Sequence, residues 1–126
     1  MIAGLGIDLI EVERVAANIT REAGFRELVF SKREIDYCEG KTNKFEHYAA
    51  RFAAKEAFFK AIGTGWTTGT AFSEVEITND DGGKPEISLL GETKIALDSL
   101  GIFKILVSLS HLRSIASAVV IIEKQP

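Results

Sequence analysis

Residues 44–62 carry the longest helical pattern in the chain, and Gly63 follows it directly. The spacing predicts one helix of about five turns that stops at Gly63, because glycine readily takes the left-handed conformation that ends a helix. Its apolar residues lie on two faces, with Phe45, Tyr48, Ala49, Phe52 and Phe59 on one stripe and Phe58 and Ile62 on another. A helix with two apolar faces is packed on both sides, and a neighbouring subunit is one candidate for the second layer.

Shorter patterns before this helix predict a strand and two further helices. "IAGLGIDL" alternates as a strand does, and we expect its more apolar face, Ala3, Leu5, Ile7 and Leu9, to contact the core. The opposite face carries few side-chain atoms before Asp8, because two of its residues are glycines. A ligand or another backbone can therefore approach it closely. "LIEVERVAANI" predicts a helix directly after the strand, and "SKRE" is a capping box that opens a helix from Ser31 to about Glu39.

The C-terminal half predicts antiparallel strands. "SEVEI" and "PEISL" flank the turn-rich "TNDDGGK" as in a hairpin, "ETKIALDSL" predicts a short helix ended by Gly101, and "FKILVSLS" and "SIASAVVIIE" predict strands that are buried on both faces. Helices and strands do not alternate regularly, and only a few residues separate the last two strands. We therefore predict an α+β fold, a single compact domain over residues 1–126 with a small antiparallel sheet packed against the long helix.

Composition narrows the function classes. The net charge of -3 argues against nucleic-acid binding by the chain as a whole. The lone Cys38 excludes an internal disulfide and fits a reducing compartment. The longest apolar run, "IASAVVII", is far shorter than the roughly 20 residues of a spanning helix, and the N-terminus lacks the features of a signal peptide. We expect a cytoplasmic protein that binds neither nucleic acid nor membrane.

Two acidic residues stand in unusual positions. Glu56 falls inside the apolar stripe of the long helix, although burying an unpaired carboxylate costs several kcal/mol. An ion pair with Lys60, one turn later, would explain Glu56. Similarly, Asp8 could cap the helix that follows it, because "DLIE" is a capping box completed by Glu11. Alternatively, the two acids converge on a divalent cation, and magnesium accepts one or two carboxylates together with phosphate oxygens and waters.

The groups that a polyphosphate ligand requires are also present, although each has a simpler explanation. Arg51, Lys55 and Lys60 lie along the same helix as Glu56, and "GTG" (residues 63–65) follows it. Gly63 is explained as a helix C-cap, "GGKP" as a turn, and His111 in "SLSH" as an ordinary residue at a strand end. Their coexistence favours a phosphate-binding site more than any one of them does.

Four segments together resemble a known family. "GIDLIEVERV", "RFAAKEAFFKAIGTG", "GGKP" and "VSLSH" are similar, in order and spacing, to the signature blocks of the bacterial holo-acyl-carrier-protein synthases, which are small phosphopantetheinyl transferases. The resemblance covers essentially the whole chain and implies the 4'-phosphopantetheinyl transferase fold. It implies that a serine of apo-acyl carrier protein attacks the β-phosphorus of coenzyme A, with magnesium as cofactor, and that adenosine 3',5'-bisphosphate leaves.

The resemblance also implies roles for individual residues. It places the metal-binding acids at Asp8 and Glu56, which with Lys60 form the predicted catalytic set, Glu56 being the candidate base. The predicted coenzyme A contacts are Arg51, Lys55, Lys60, Gly63, Gly65, Gly83, Lys84, Pro85, Ser110 and His111. Members of this class are typically homotrimers with active sites at subunit boundaries. Leu112 and Ile115 stand where the family pattern has a threonine and an aromatic residue, which affects the expected nucleotide contacts rather than the reaction class.

A docking surface for the acidic carrier protein is expected near the first helix. Arg14 and Arg21 are seven residues apart, and Phe25 and Arg26 follow them. The alternative is an ordinary solvated face, since Glu11, Glu13 and Glu22 dilute its positive charge. For the whole chain, the alternatives are a non-catalytic module that binds coenzyme A or another nucleotide, and a structural trimer without affinity for coenzyme A.

Overall fold

The fold is organised around the long helix, in a computed structural model that describes residues 1–64 and 68–126. In chain order the strands and helices are β1 (Ile2–Glu11), α1 (Val12–Arg21), α2 (Phe25–Val29), α3 (Lys32–Glu39), α4 (Lys44–Ile62), β2 (Val75–Asn79), β3 (Pro85–Leu89), α5 (Gly91–Ala96), β4 (Ile102–His111) and β5 (Ile115–Lys124). Helix α4 has the predicted bounds, because Gly63 adopts a φ of 80° and donates its N–H to the carbonyls of Phe59 and Lys60.

The strands within the described residues form two antiparallel sheets. One has the strand order β1-β5-β4, and the other is the β2–β3 hairpin predicted around "TNDDGGK". This arrangement confirms an α+β fold with a small antiparallel sheet against a long helix. Among the described residues, none of the helices has the length and apolar character needed to cross a membrane.

Helix α4 is buried over most of its surface, as its two apolar faces predicted, although Lys60 in its last turn is exposed. Its C-terminal half packs Ala57 and Phe58 against Val120 and Ile122 of β5 and against the hairpin. Its N-terminal half packs with α1, α2 and α3, where Tyr48 is completely buried. The layers that enclose α4 therefore come from this chain itself, and no neighbouring subunit is needed to explain its second apolar face.

Two glycines of β1 allow this strand to lie directly against α4. A Cβ atom added at Gly4 would overlap the carbonyl oxygen of Ala61, and one added at Gly6 would overlap that of Ala57. Any side chain at these positions would push the strand away from the helix. The sequence correctly predicted a close backbone approach at this face, but it did not identify α4 as the partner.

The expectation that Ala3, Leu5, Ile7 and Leu9 face the core is wrong. Leu5, Ile7 and Leu9 are 65–68% exposed, on the face of β1 that points away from α4. Their neighbours across the sheet, Val119 and Ile121 of β5, are only half-buried, and so is Leu106 of β4. The expectation that the last two strands are buried on both faces is therefore also wrong. We call Leu5, Ile7, Leu9, Leu106, Val119 and Ile121 the apolar sheet face.

The two predicted capping boxes have different outcomes. At α3, Ser31 Oγ accepts a hydrogen bond from the backbone N–H of Glu34, and the Glu34 carboxylate accepts one from the N–H of Ser31, as predicted. At α1, by contrast, Asp8 lies within β1, and Glu11 precedes the helix without a side-chain cap. Capping therefore does not explain Asp8.

The sequence placed the end of the short helix α5 at Gly101. In the structure Gly101 ends a 3-10 turn that follows α5, with a φ of 66°.

Candidate functional site

Asp8 and Lys60 meet where β1 crosses the last turns of α4. Asp8 lies on the same face of its strand as Gly4 and Gly6, so it points toward the helix. The Lys60 ammonium group lies 3.0 Å from Asp8 Oδ1 and donates a second hydrogen bond of 3.0 Å to the carbonyl of Ile7. Lys60 therefore pairs with Asp8 and not with Glu56, in contrast to the helical pairing that was one explanation for Glu56.

Glu56 belongs to the same cluster, one helical turn before Lys60. Burial raises the pKa of the Glu56 carboxyl above its ordinary value, and the negative charge of Asp8 raises it further, while Lys60 acts in the opposite direction. This electrostatic coupling indicates that the two carboxylates are near each other. Asp8, which is distant in sequence, therefore joins Glu56 and Lys60 of α4 in what we call the acidic cluster.

The acidic cluster has the chemistry of a partial metal site. Within residues 1–64 and 68–126, no group of three or more His, Cys, Asp or Glu side chains is arranged to hold an ion. Magnesium, however, takes only one or two carboxylates from a protein when substrate phosphates and waters supply the other ligands. Asp8 and Glu56 fit that requirement, because each supplies carboxylate oxygens and the charge of Asp8, after burial, raises the pKa of Glu56.

Lys55 does not reach a ligand site, contrary to the predicted coenzyme A contact. Its side chain has no exposed surface, and its ammonium group donates to Glu34 Oε1 and to the carbonyls of Phe72 and Val75 at 2.7–2.8 Å. These three acceptors use all the donors of an ammonium group. The role of Lys55 in this structure is therefore to join α4 to α3 and to the start of β2.

Several other predicted residues surround a second site, a cavity of about 220 Å³ at the N-terminal half of α4. Arg51, Gly83, Pro85 and His111 all line it. The guanidinium group of Arg51 donates to Asn79 Oδ1 at 2.8 Å, and Asn79 in turn donates to the carbonyl of Gly83 at 3.0 Å. We call this cavity the Arg51 pocket.

The hairpin turn beside the Arg51 pocket is shaped by Asp80. Its carboxylate accepts the backbone N–H groups of Gly82 and Lys84, and Gly83 has a φ of 89°. The segment from Gly83 to Pro85 is thus held in place by turn chemistry, and it also borders the cavity. His111 is oriented by a contact of 2.9 Å between its Nδ1 and Glu46 Oε1.

The remaining predicted contacts are not brought into the Arg51 pocket. Ser110 is exposed and pairs with Ser117 across the sheet, and Lys84 lines a neighbouring groove between β3 and β4. Gly63 acts as the C-cap of α4, and Gly65 lies outside the described residues. A groove of about 480 Å³ near Phe103 is lined by none of the predicted site residues.

The structure adds to the Arg51 pocket residues that the sequence did not indicate, among them Tyr37, His47 and Asn79. The centre of the Arg51 guanidinium group lies 4.1 Å from the centre of the Tyr37 ring. The one available signal for His47 was its position four residues before Arg51, which places both on neighbouring turns of one helix. Tyr37 and Asn79 come from α3 and β2, and no sequence spacing predicts their meeting.

A family model described as the 4'-phosphopantetheinyl transferase superfamily matches residues 4–119. The chain belongs to this superfamily. Its resemblance to the holo-acyl-carrier-protein synthases is confirmed by curated relatives. The holo-[acyl-carrier-protein] synthase of Ruminiclostridium cellulolyticum is 51% identical over 94% of this chain and 90% of that protein. The synthase of Cytophaga hutchinsonii is 46% identical over 98% of this chain and 99% of that protein.

Solved structures of the superfamily share the fold. The holo-[acyl-carrier-protein] synthase of Neisseria meningitidis superposes with a TM-score of 0.89 at 31% identity, covering 98% of this chain and 100% of that chain. The synthase of Bacillus anthracis, solved in complex with coenzyme A (3',5'-ADP), gives a TM-score of 0.81 at 33% identity and 99% coverage of both chains. The predicted 4'-phosphopantetheinyl transferase fold is thereby confirmed.

Proposed function

We propose that this protein is a holo-acyl-carrier-protein synthase, which transfers 4'-phosphopantetheine from coenzyme A to a serine of apo-acyl carrier protein. The serine Oγ forms a bond to the β-phosphorus of coenzyme A, and the bond from that phosphorus to the bridging oxygen breaks. The products are holo-acyl carrier protein and adenosine 3',5'-bisphosphate. The single observation that carries this proposal is the convergence of Asp8, Glu56 and Lys60, and the names of the relatives support it.

Asp8 and Glu56 would hold a magnesium ion, and their carboxylate oxygens suit that cation. When bound, magnesium supplies charge neutralisation and orientation for the pyrophosphate oxygens. Lys60 is half-exposed beside Asp8, so its ammonium group can donate to a phosphate oxygen that gains charge during transfer. Phosphoryl transfer asks a protein mainly for such positioning and charge neutralisation.

Glu56 is the proposed general base for the serine hydroxyl. A base works best when its pKa lies near the operating pH, and burial together with Asp8 raises the pKa of Glu56 in that direction. The proton leaves serine Oγ as the bond to phosphorus forms, and a carboxylate oxygen of Glu56 accepts it directly or through a water molecule.

The nucleotide end of coenzyme A would occupy the Arg51 pocket of an adjacent subunit. The proposed homotrimer is supported by the apolar sheet face, where Leu5, Ile7 and Leu9 are exposed along one strand. Contiguous exposed apolar surface of this kind marks interaction sites in folded proteins. Packing copies of this face together would bury it.

The carrier protein would dock on α1. Arg14 and Arg21 are exposed on this helix, whereas Phe25 is half-buried, with its ring centre 6.5 Å from that of Phe52. Arg26 is less available than predicted, because its guanidinium group is bound to the carboxylates of Glu27 and Glu39. Arg14 and Arg21 are therefore the main proposed contacts.

We also propose a cytoplasmic location. The buried Cys38 thiol, whose pKa is raised to about 12 by burial, would stay reduced and inert there.

Mass spectrometry tests the reaction directly. Apo-acyl carrier protein incubated with this protein, coenzyme A and magnesium should gain the mass of one phosphopantetheine group, and a chelator should prevent the gain. Asp8→Asn should abolish it in a protein that remains folded. If coenzyme A binds without magnesium and no transfer occurs, the protein is a non-catalytic binding module instead. If coenzyme A does not bind at all, the structural-trimer alternative is favoured.

A further inference from the structure

His47 lines the Arg51 pocket between two other aromatic rings. Its ring centre is 5.3 Å from that of His111 and 5.6 Å from that of Tyr37, with edge-on geometry in both contacts. His111 is fixed by Glu46, and Tyr37 lies under Arg51. The imidazole of His47 is therefore positioned by neighbours on both sides, while it lines the cavity itself.

The Arg51 pocket carries excess positive charge. Two cations lie over the Tyr37 ring, with the Arg51 guanidinium 4.1 Å and the Lys41 ammonium 4.8 Å from its centre. The Arg51 guanidinium donates to the neutral side chain of Asn79, and among the described residues its buried Nε–H has no hydrogen-bond partner. Burial together with the charges of His111, Arg51 and Lys41 lowers the pKa of His47, and Glu46 opposes them. A site with this imbalance favours an anion.

The anion is suggested by the substrate of the proposed function. Coenzyme A carries two separate phosphate groups, the pyrophosphate and the phosphate monoester on the ribose 3'-oxygen. The acidic cluster with its lysine is suited to the pyrophosphate with magnesium. The Arg51 pocket contains cationic and imidazole donors and lacks an acidic pair suited to a metal, so it is suited to a phosphate monoester without a metal ion.

We propose that His47 is a specificity-determining residue of this chain, which together with Arg51 contacts the 3'-phosphate and selects coenzyme A over 3'-dephospho-coenzyme A. This inference rests on the proposed function. A nitrogen of the His47 ring donates to a phosphate oxygen, and the incoming negative charge offsets the surrounding cations. Dephospho-coenzyme A would leave those cations uncompensated.

Steady-state kinetics with both substrates tests the assignment. His47→Phe keeps an aromatic ring for the contacts with Tyr37 and His111 but removes the ring nitrogens. We expect KM for coenzyme A to rise about tenfold or more, the typical effect of losing a hydrogen bond to a charged group, while KM for dephospho-coenzyme A and kcat stay unchanged. The matched control is Lys32→Gln, which removes a positive charge from an 87% exposed side chain on α3 and should alter neither KM. Equal increases for both substrates, or no increase for either, would overturn the proposal.

Binding without catalysis separates this inference from the proposed function. Calorimetry with adenosine 3',5'-bisphosphate and with adenosine 5'-monophosphate requires neither carrier protein nor transfer. We expect the unmodified protein to bind the bisphosphate about tenfold more tightly or better, and His47→Phe and His47→Gln to reduce that preference. A preference that is absent, or that survives both substitutions, would refute the role of His47. A preference that depends on His47 in a protein without transferase activity would support this inference and refute the proposed reaction.

Discussion

Lys55 Nζ lies 2.8 Å from Glu34 Oε1, and neither side chain has any exposed surface. The second oxygen of Glu34 accepts the backbone N–H of Ile77 at 2.8 Å, so this buried pair joins α3, α4 and β2. Burial lowers the pKa of Lys55, and the charge of Glu34 opposes that effect. The pair is therefore a structural junction whose two charges depend on each other.

Removing one member of this pair should destabilise the protein. Lys55→Met leaves the Glu34 carboxylate buried without a cation, and we expect a loss of about 3–5 kcal/mol in the free energy of unfolding. Adding Glu34→Gln should restore a large part of that loss, because the uncompensated charge disappears. Urea denaturation measures both. A Lys55→Met protein of normal stability but with a raised KM for coenzyme A would instead support the coenzyme A contact predicted for Lys55 from the sequence.

Glu56→Gln should abolish transfer and stabilise the protein at neutral pH. The pKa of Glu56 is raised above its ordinary value of 4.5, so the folded state retains this proton to higher pH than the unfolded state. Stability contributed by the group is thus lost as pH rises from the ordinary value through the folded value, and the ionised carboxylate is a cost at pH 7. We expect Tm to rise by about 1–3 °C at pH 7 and the difference to shrink at pH 4. An unchanged Tm at pH 7 would contradict the assigned electrostatics.

Gly6→Ala should damage both stability and activity. The added Cβ atom would overlap the Ala57 carbonyl and would lie 2.8 Å from the Ala61 nitrogen. Because β1 must then move away from α4, we expect a loss of about 1–3 kcal/mol and a lower kcat through displacement of Asp8. Gly40→Ala is the matched control, since its φ is -78° and its nearest new contact is an ordinary 3.6 Å. Calorimetry and transfer assays should show that control within about 0.5 kcal/mol of the unmodified protein.

Leu5→Asp should dissociate the proposed trimer. Leu5 is 65% exposed in the single chain, and a carboxylate there would be buried without a partner if the apolar sheet face is an interface. We expect sedimentation velocity to show monomers and transfer activity to fall. Leu28→Asp introduces the same charge at a 73% exposed leucine of α2 and should leave the assembly intact. Identical sedimentation of Leu5→Asp and the unmodified protein would exclude this face as the interface.

Reversing charge on α1 should weaken carrier binding alone. We expect the double variant Arg14→Glu, Arg21→Glu to raise KM for acyl carrier protein about tenfold or more, with a smaller dependence on salt, and to leave KM for coenzyme A unchanged. Lys94→Glu, at an exposed position on α5, is the control. If the control raises KM for the carrier as much as the double variant does, net charge rather than α1 governs docking.

The sequence predicted best where local chemistry decides structure. The bounds of α4 follow from its apolar spacing and from Gly63, and the capping box of α3 follows from Ser31 and Glu34. The convergence of Asp8 with Glu56 and Lys60 was expected mainly from the family resemblance. Spacing within the chain could not establish it, because Asp8 and Lys60 are 52 residues apart.

The errors arose where the environment of a residue depends on distant segments. The alternation of β1 was recognised, but apolar side chains indicate a covered surface without indicating whether the same chain provides the cover. The glycine face was the better guide, since Gly4 and Gly6 fit only against a closely packed neighbour. Lys55 and Lys60 look alike in sequence, yet one is fully buried against Glu34 and the other is half-exposed beside Asp8.

The contact of Gly4 and Gly6 with α4 has a consequence for how the acidic cluster tolerates change. At these two glycines an added Cβ atom would overlap main-chain carbonyl oxygens of the helix, so the position of Asp8 relative to Glu56 depends on their lack of a side chain. Gly4 and Gly6, which carry no functional group, therefore help to set the distance between the two acids. If the proposed magnesium site is to accept a cation of different radius, changes at those glycines should serve better than changes to Asp8 and Glu56.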